Sequence, residues 1–519
     1  MKKIFNLLEK FFWIIFTVFS FGIGIIVWNY NLKLAPSSPL SNTTLFFSAL
    51  ILLLLFFLMH LLIKIQGLED ELNKWFVFPL LFIIISLMIK LAVFIFLGEQ
   101  TQQVSDFEFA FSTAKYNSQL TNDYLKIITS WTLYIKYLSL VGRFLELTTE
   151  HIILLNIFWC ILSELLIYYI LLLNTNNVAL STVAVVLYLV WPIQNFYILL
   201  LTPEFLNILL MLFTILLLSV AFKKVLSGYT PKAFLYLLLA SISLRLSGFF
   251  KGIDIVMLIA LFILLFLKYY DFKKSITIKL VFAGLTFGIG IYILTGNLIW
   301  NSLDNYIAGN GNHINRNIVP YYLSQGLNFQ NWGSWNPEVT AEYLELARST
   351  NYDFDIVNST TLSKIVVELS NNRKNLIPLL LKKFDAAWSN ASYFEWITAT
   401  INPSLLPLNY HSYSYKLSVF SQWYYFIIVI GVIVGNIISI IKKPNSLILL
   451  CGIFSFGFLL LLLLTEVQPR YKCVLYPYLA ILSANGFFEL FNLRTNLFVF
   501  WKRLIRYSKG VANASKSIR

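Results

Sequence analysis

Residues 75–97 read WFVFPLLFIIISLMIKLAVFIFL, and residues 98–110 read GEQTQQVSDFEFA. The first stretch is long enough to cross a bilayer as a helix, because the hydrocarbon core needs about 20 apolar residues at about 1.5 Å each. The second stretch places an acid, Asp106, a few residues beyond the end of that helix. Together they predict a spanning helix followed by a candidate catalytic carboxylate at the membrane surface.

The rest of the chain has the composition of a membrane protein. Of its 519 residues, 58% are hydrophobic and 12% are charged, whereas about 25% of residues are charged in a soluble domain. The mean hydropathy is +0.73. About twelve apolar runs read as spanning helices. They lie near residues 11–30, 43–65, 75–97, 151–173, 178–199, 203–222, 233–248, 251–268, 279–300, 423–441, 446–464 and 473–491.

The basic residues predict the orientation. They collect before the first run, after the sixth, between the eighth and ninth, and in the C-terminal tail. The positive-inside rule then places both termini in the cytoplasm of a multi-pass cell-membrane protein. The formal net charge is +14, but its scatter over short loops favours anionic membrane lipids as partners rather than nucleic acid.

We therefore expect an all-α polytopic membrane protein with interfacial helices and a small external domain. Two long segments, 99–150 and 301–422, interrupt the apolar runs, and the orientation places both outside the cell. In the second, Asn336-Pro337-Glu338 predicts a helix start, and further helices are expected over Thr360 to Leu369 and Leu376 to Trp388. The predicted parts are a two-helix extension (1–74), a transmembrane core (75–300) containing an external catalytic loop (99–150), an external domain (301–422), C-terminal spans (423–491) and a basic tail (492–519).

Ionisable groups at or near membrane depth are candidate functional residues, because they are costly to place there. The acids that stand out at the expected outer surface are Asp106, Glu108, Glu204 and Glu466. Asp106 and Glu204 also suit simple helix capping, since acids stabilise the first turn of a helix. The sequence alone leaves both interpretations open.

Basic residues usually collect on the cytoplasmic side of a membrane protein. Cations at the expected outer surface therefore suggest an anionic ligand. Arg245 and Lys251 lie near the end of the seventh run, and Arg470, Tyr471 and Lys472 follow Glu466. A guanidinium offers a fixed fork of donors to a phosphate, and an ammonium adds a point charge. The alternative for this segment is an interfacial turn with snorkelling basic side chains.

Other kinds of site have no sequence signature. The three cysteines all lie in apolar runs, the histidines show no metal-ligand spacing, and no phosphate-binding P-loop or nucleotide-binding glycine motif occurs. A nucleotide-driven pump is therefore not expected. The acids leave a divalent cation open as a cofactor without defining a ligand set.

The order of these motifs resembles that of bacterial GT-C glycosyltransferases. The resemblance rests on Ser105-Asp106-Phe107, Pro203-Glu204, the stretch from Arg245 to Gly248, and Glu466-Val467-Gln468-Pro469-Arg470-Tyr471. It covers about residues 75 to 490 and is greatest to protein O-mannosyltransferases and aminoarabinose transferases, that is, to a family 39-like pattern. It implies a GT-C-like fold.

The resemblance also implies a reaction. A hexosyl or pentosyl group would pass from a polyprenyl-phosphate donor to a glycan, lipid or protein acceptor on the extracytoplasmic face. Asp106 would be the general base, with Glu108 as the alternative, and Arg470, helped by Arg245 or Lys472, would hold the phosphate. Trp332, Trp335, Trp388 and Trp396 would face the acceptor or form the core of the external domain.

Two other functions fit some of these features. A polysaccharide polymerase or ligase also has about a dozen spans and a large external loop, but it would depend on external arginines more than on an acid. A secondary transporter or lipid flippase matches the span count, but it usually shows a repeat between its halves and broken midplane helices. We find no such repeat, and the polar motifs lie at one predicted surface.

Overall fold

The computed structural model describes residues 2–34, 73–98, 101–116, 123–227, 230–268, 275–307, 314–390 and 410–492. Most of these residues are helical, and none of them forms a β-strand element. Within these ranges, eight helices are long and apolar enough to cross a membrane. The protein is an all-α polytopic membrane protein, as the composition predicts.

The helices form a bundle of long apolar members and a layer of shorter ones. The bundle contains α1 (Lys2–Leu34), α2 (Phe78–Leu97), α6 (Thr149–Thr175), α7 (Val178–Leu189), α8 (Pro192–Tyr197), α9 (Glu204–Leu226), α10 (Thr230–Phe250), α11 (Asp254–Leu267), α12 (Ser275–Ile307), α17 (Tyr410–Ile441), α18 (Ser446–Leu464) and α19 (476–492). The shorter layer contains α3 (Ser105–Tyr116), α4 (Asp123–Ile127), α5 (Ser130–Phe144), α13 (Val319–Gly326), α14 (Pro337–Ser349), α15 (Phe354–Asn371) and α16 (Leu376–Trp388). A 3-10 helix, Pro469–Leu475, leads into α19.

Most of the predicted apolar runs within the described residues correspond to single helices, and the run at 279–300 lies inside the longer α12. The run at 251–268 forms only the 14-residue α11. The run at 178–199 divides into α7 and α8. The predicted run at 43–65 and the basic tail lie outside the described residues, so these predictions stay untested.

The division between α7 and α8 has a local cause at Pro192. A proline has no backbone N–H to donate and crowds the residue before it out of the helical region. Trp191 accordingly has ψ 112°, and Pro192 begins the next helix. A spanning pattern of apolar residues therefore folds as two short helices.

After α8 the backbone of residues 198–203 is irregular although it is buried. Asn156 donates to the carbonyls of Ile198 (3.0 Å) and Leu200 (2.9 Å). Gln103 donates to the Leu199 carbonyl and accepts from the Leu201 N–H, each at 3.0 Å. An unsatisfied backbone group in lipid costs several kcal/mol, so these two amides make the irregular segment possible.

Buried ion pairs connect helices within the bundle. Lys90 on α2 contacts Glu164 on α6 at 2.6 Å, and both side chains are almost fully buried. Lys268, just after α11, contacts Glu9 on α1 at 3.1 Å. Removing one partner of such a pair leaves an uncompensated buried charge, so these pairs fix which helices are neighbours.

The shorter layer draws its core from both long interruptions of the apolar pattern. Ile127 and Ile128, from the first, pack with Tyr321, Tyr343 and other residues of the second. The Asn315 N–H also donates to the Lys126 carbonyl at 2.8 Å. The two segments therefore share one small hydrophobic core.

The predicted helices in this layer are confirmed, although the one expected over Thr360 to Leu369 begins earlier, at Phe354. The Asn336 side chain accepts a hydrogen bond from the Glu338 N–H at 2.9 Å, and Pro337 is the first helical residue. The predicted helix Leu376–Trp388 is α16, and Thr360 to Leu369 lies inside α15.

Candidate functional site

The site residues lie at the end of the bundle where α2, α10 and α18 end and α9 begins. The segment from Thr465 to Leu475, which we call the connector, joins α18 to α19 there. Its backbone is held on both sides: the Val467 N–H donates to the Gly333 carbonyl at 2.9 Å, and the Lys383 ammonium donates to the Thr465 carbonyl at 2.7 Å. The connector is therefore pinned to the shorter layer.

The connector and the shorter layer of helices approach each other very closely at Gly326. A Cβ at this position would lie 2.2 Å from the carbonyl carbon of Thr465. The Lys383 ammonium donates to the Gly326 carbonyl as well, at 2.5 Å. Only glycine fits between the end of α13 and the connector.

Glu466 organises the connector from within. Its Oε1 accepts hydrogen bonds from the Gln468 amide (2.6 Å) and the Tyr471 hydroxyl (2.8 Å). Burial raises the pKa of the Glu466 carboxyl, whereas the Tyr471 hydroxyl and the charge of Arg470 act in the opposite direction. Glu466 therefore orients the aromatic ring of Tyr471 rather than facing solvent.

Asp106 and Arg470 come together at this end of the bundle. The Arg470 Nη2 lies 3.6 Å from Asp106 Oδ2, with the guanidinium side chain 8% exposed and the carboxylate side chain 30% exposed. The guanidinium also lies over the rings of Phe107 (5.3 Å) and Tyr471 (5.4 Å). A partly exposed acid thus lies next to a largely buried cation.

The start of α3 sets the position of Asp106. Ser105 has φ +55°, a conformation that is uncommon for residues other than glycine, and Asp106 follows it in the first turn of the helix. Gln103, two residues before Ser105, is bonded to the irregular segment that precedes α9. The Gln103 side chain therefore links the segment that precedes Asp106 to the segment that precedes Glu204.

Lys251 and Glu204 form a second ion pair beside the first. Their charged atoms are 3.0 Å apart, and the Thr202 hydroxyl donates to the other oxygen of Glu204. The Lys251 ammonium lies 4.5 Å from the centre of the Tyr471 ring. Tyr471 thus has Arg470 and Lys251 against its ring and Glu466 at its hydroxyl. The two cations bring their own acid partners, Asp106 and Glu204, so two cations and three acids surround one aromatic side chain.

Lys383 is a buried cation that the sequence reading missed. Burial lowers the pKa of its ammonium to about 7, and the charge of Glu466 opposes this shift. Leu379, Lys383 and Ala387 recur at a spacing of four residues and are all buried. The sequence signal is a lysine in the middle of this otherwise apolar stripe. Gln103 and Thr202 were also missed, and neither carries a motif of its own.

The side chains of three predicted site residues contact other groups in the structure. Arg245 pairs with Asp254 at 2.9 Å and donates to the Tyr292 hydroxyl at 3.0 Å. Lys472 is fully buried and donates to the carbonyls of Ala387 and Asn390 at the end of α16. Glu108 is exposed on α3, where its charged neighbour is Lys115. The structure thus brings together Asp106, Arg470, Tyr471, Glu466, Lys251 and Glu204.

The aromatic residues of the external domain also separate. Trp332 and Trp335 are partly exposed, whereas Trp388 is buried. Trp396 lies outside the described residues. Across the part of the chain that the structure describes, no group of three or more His, Cys, Asp or Glu side chains is placed to hold a metal ion.

Comparison with solved structures shows a likeness in fold. No protein-family model matches the chain, and no curated protein matches it either. The chain is similar in structure to ArnT from Cupriavidus metallidurans, which was solved bound to undecaprenyl phosphate. The two are 11% identical, with a TM-score of 0.36, over 80% of this chain and 78% of that one. A TM-score this low describes a loose superposition.

Proposed function

We propose that this protein is a membrane glycosyltransferase of GT-C type, which moves a sugar from a polyprenyl-phosphate donor to an envelope glycan, lipid or protein. The observation that carries the proposal is the pairing of Asp106 with Arg470 at the surface end of the bundle. One reaction that needs an acid beside a cation at a membrane surface is transfer from a phosphate-linked lipid. The resemblance of the motif order to that of GT-C glycosyltransferases implies the polyprenyl-phosphate donor.

We assign Asp106 the role of general base. In the proposed step its carboxylate takes the proton of an acceptor hydroxyl as that oxygen bonds to the sugar's anomeric carbon. The bond from that carbon to the phosphate oxygen breaks, and polyprenyl phosphate leaves with the electron pair. A direct displacement of this kind inverts the anomeric carbon. A positioned base typically contributes about 10²- to 10⁴-fold to such a step.

Arg470 has the matching role toward the phosphate. Its guanidinium carries a fixed fork of donors and lies beside the proposed base, with Nη2 3.6 Å from Asp106 Oδ2. A phosphate that binds next to Asp106 would therefore lie within reach of these donors. The charge that develops on the leaving phosphate would then be stabilised by a donor that is already in place.

Lys251 and Glu466 support this arrangement from two sides. Lys251 adds a second positive charge next to the Tyr471 ring, and its pairing with Glu204 holds it there. Glu466 fixes the Tyr471 hydroxyl and so the ring against which both cations lie. We assign these residues to donor binding, together with Arg470 and Tyr471.

The proposal places the site on the extracytoplasmic side, with both termini in the cytoplasm. The positive-inside pattern supports this orientation. Arg245 and Lys472 have structural partners in the fold, so we give them no direct part in the reaction.

A transfer assay tests the function. Membranes containing the native chain would be incubated with a radiolabelled polyprenyl-phosphate sugar pool and compared with membranes containing Asp106→Asn at equal protein level. We expect label in an acceptor and release of polyprenyl phosphate for the native chain only, while the variant still binds the donor lipid. If the native chain transfers no label from any donor in the pool, the proposal is wrong and the flippase and polymerase functions become the leading alternatives.

A further inference from the structure

α16 has two unlike sides. Its inner side carries Leu379, Lys383 and Trp388, all buried against the connector and the bundle. Its outer side carries Ile377 and Leu381, which are 69% and 64% exposed. These two residues are four apart and therefore neighbours on one face of the helix. The described part of the chain leaves that apolar face uncovered.

The depth of α16 follows from the helix it is pinned to. α18 has 19 residues, which is about 28 Å at 1.5 Å per residue and matches the thickness of a hydrocarbon core. Leu464 therefore lies at a bilayer surface, and Thr465 just beyond it accepts a hydrogen bond from Lys383 on α16. Through this hydrogen bond α16 reaches the edge of the bilayer. Phe384 of α16 also packs against Phe19 of the spanning helix α1, with ring centres 6.2 Å apart, so α16 is attached to the bundle as well.

Basic and aromatic side chains surround the exposed face. Arg373 and Lys374 precede the helix and are exposed, and exposed Lys382 lies 3.4 Å over the ring of Trp332. Tryptophan is enriched where proteins cross the membrane–water interface. The one exposed acid on this part of α16 is Asp385, so the face carries more positive than negative charge.

Trp332 is held firmly in this position. Its φ is +52°, a strained conformation for a bulky residue. Asn328 closes the loop before it by accepting from the Gln330 and Asn331 N–H groups, and Gly333 after it is bonded to the connector. With Lys382 covering one face of its ring, Trp332 is less suited to stack on an acceptor sugar than to mark a lipid boundary.

From these observations we infer that the face formed by Ile377, Leu381 and Trp332, with Arg373, Lys374 and Lys382 around it, seats on the bilayer surface and binds anionic phospholipid headgroups. The apolar side chains enter the boundary of the acyl chains, and the cations meet the phosphates, as in interfacial amphipathic helices. This contact does not depend on the reaction proposed above. It also gives α16, and through Lys383 the connector, a second support besides the bundle.

Depth-dependent quenching tests the apolar part. Leu381→Cys and Ile377→Cys, each labelled with an environment-sensitive fluorophore, would be reconstituted in phosphatidylcholine/phosphatidylglycerol vesicles. The native cysteines are buried and should not label. The control is Ile356→Cys, which is 50% exposed and lies at the other end of α15, about 20 Å along that helix. We expect at least about twofold stronger quenching by shallow spin-labelled lipids at 377 and 381 than at 356, and weaker quenching by aqueous iodide.

Equal behaviour at the three positions would overturn the inference. Protection from both quenchers at 377 and 381 would overturn it as well, because it would show that another part of the chain covers the face.

Lipid preference tests the charged part. Energy transfer from the Leu381 probe to fluorescent phosphatidylglycerol or phosphatidylcholine would be measured in the Leu381→Cys background with Arg373→Gln and Lys374→Gln added. The matched control replaces Lys364, an exposed lysine on α15 that pairs with Glu342, with Gln. We expect the preference for the anionic lipid to be lost only in the first variant. An unchanged preference would remove anionic lipid from the inference.

Discussion

Arg470 and Arg245 are two arginines in very different surroundings. Arg245 forms an ion pair with Asp254 at 2.9 Å and donates a hydrogen bond to the Tyr292 hydroxyl at 3.0 Å. That hydroxyl also donates to Asp254 at 2.6 Å. Arg470 has its carboxylate partner at 3.6 Å. The carboxylate side chain beside Arg245 is only 6% exposed, whereas the one beside Arg470 is 30% exposed. The exposure of the partner acid, rather than the residue type of the cation, favours a ligand role for Arg470 and a structural role for Arg245.

Packing supports the same distinction. The Arg245 guanidinium lies over the rings of Phe249 and Tyr292 at 4.7 and 4.8 Å, and a Cβ at Gly296 would lie 2.6 Å from its Nε. These groups pack closely against the Arg245 guanidinium. Asp106, the partner of Arg470, keeps 30% of its side chain exposed, so an acceptor hydroxyl can approach it.

The largest expected effect is at the acid of the Arg470 pair. Asp106→Asn should reduce transfer by about 100-fold or more, because it removes the base while keeping the shape. Glu108→Gln, its control on the same helix turn, should leave transfer within about threefold, since Glu108 is exposed and lies away from Arg470. Initial rates at saturating donor measure both. A greater loss in Glu108→Gln than in Asp106→Asn would give the base role to Glu108.

The next effect is at the cation itself. Arg470→Lys should weaken donor-lipid binding and transfer by about tenfold or more, because a lysine keeps the charge but loses the fork of donors. Thermal stability should change little. Donor titration and a melting curve on the same preparation measure this, with Arg245→Lys as the control that should lower the melting temperature and spare donor binding. The reverse outcome would assign the phosphate to Arg245.

A third prediction concerns the closed cluster. Asp254→Asn should destabilise the protein by about 2 kcal/mol, less than a fully buried pair because the Arg245 side chain is 22% exposed. Activity per folded molecule should be retained. Thermal unfolding in detergent, together with transfer normalised to folded protein, measures both. Loss of activity without loss of stability would contradict a purely structural role.

The last prediction concerns the pH dependence of stability contributed by Lys383. The ordinary pKa of lysine is 10.5, and burial lowers that of Lys383 to about 7. Between these values the unfolded chain binds more protons than the folded one, so stability should rise with pH. The slope from one proton is at most about 1.4 kcal/mol per pH unit.

Lys383→Met should remove that slope. Melting temperatures of the native chain and the variant at pH 7 and 9 measure it, and Lys382→Met, at the exposed neighbouring position, is the control. A variant with the native slope would show that Lys383 does not titrate in this range.

The amino-acid pattern predicts the membrane class and most spanning helices because lipid demands long apolar runs. It also predicts the start of α14 and the limits of α16, where capping chemistry is local. Pro192 divides the run at 178–199 into two short helices. A count of apolar residues does not include this effect of proline. Gln103 and Lys383 act on backbone 96 and 82 residues away, and no local pattern encodes such pairings.

The candidate site was predictable only in part for the same reason. The resemblance drew attention to Asp106, Glu204 and Arg470, which the structure places together. It also favoured Arg245 and Lys472, whose partners come from α11, α12 and the end of α16. A charged residue near a membrane surface has the same sequence signature whether it serves a ligand or a helix end, so only its neighbours distinguish the two.

The irregular segment 198–203 has a consequence for biogenesis. Its carbonyls depend on Gln103 and Asn156, which a ribosome synthesises before the segment itself. When the segment enters the membrane, its polar partners have therefore already been translated. A circular permutant that began at α9 and ended with the segment would keep this order, whereas one that began at α7 would translate residues 198–203 first. The second permutant would have to insert the segment with bare peptide groups and should be degraded rather than assembled.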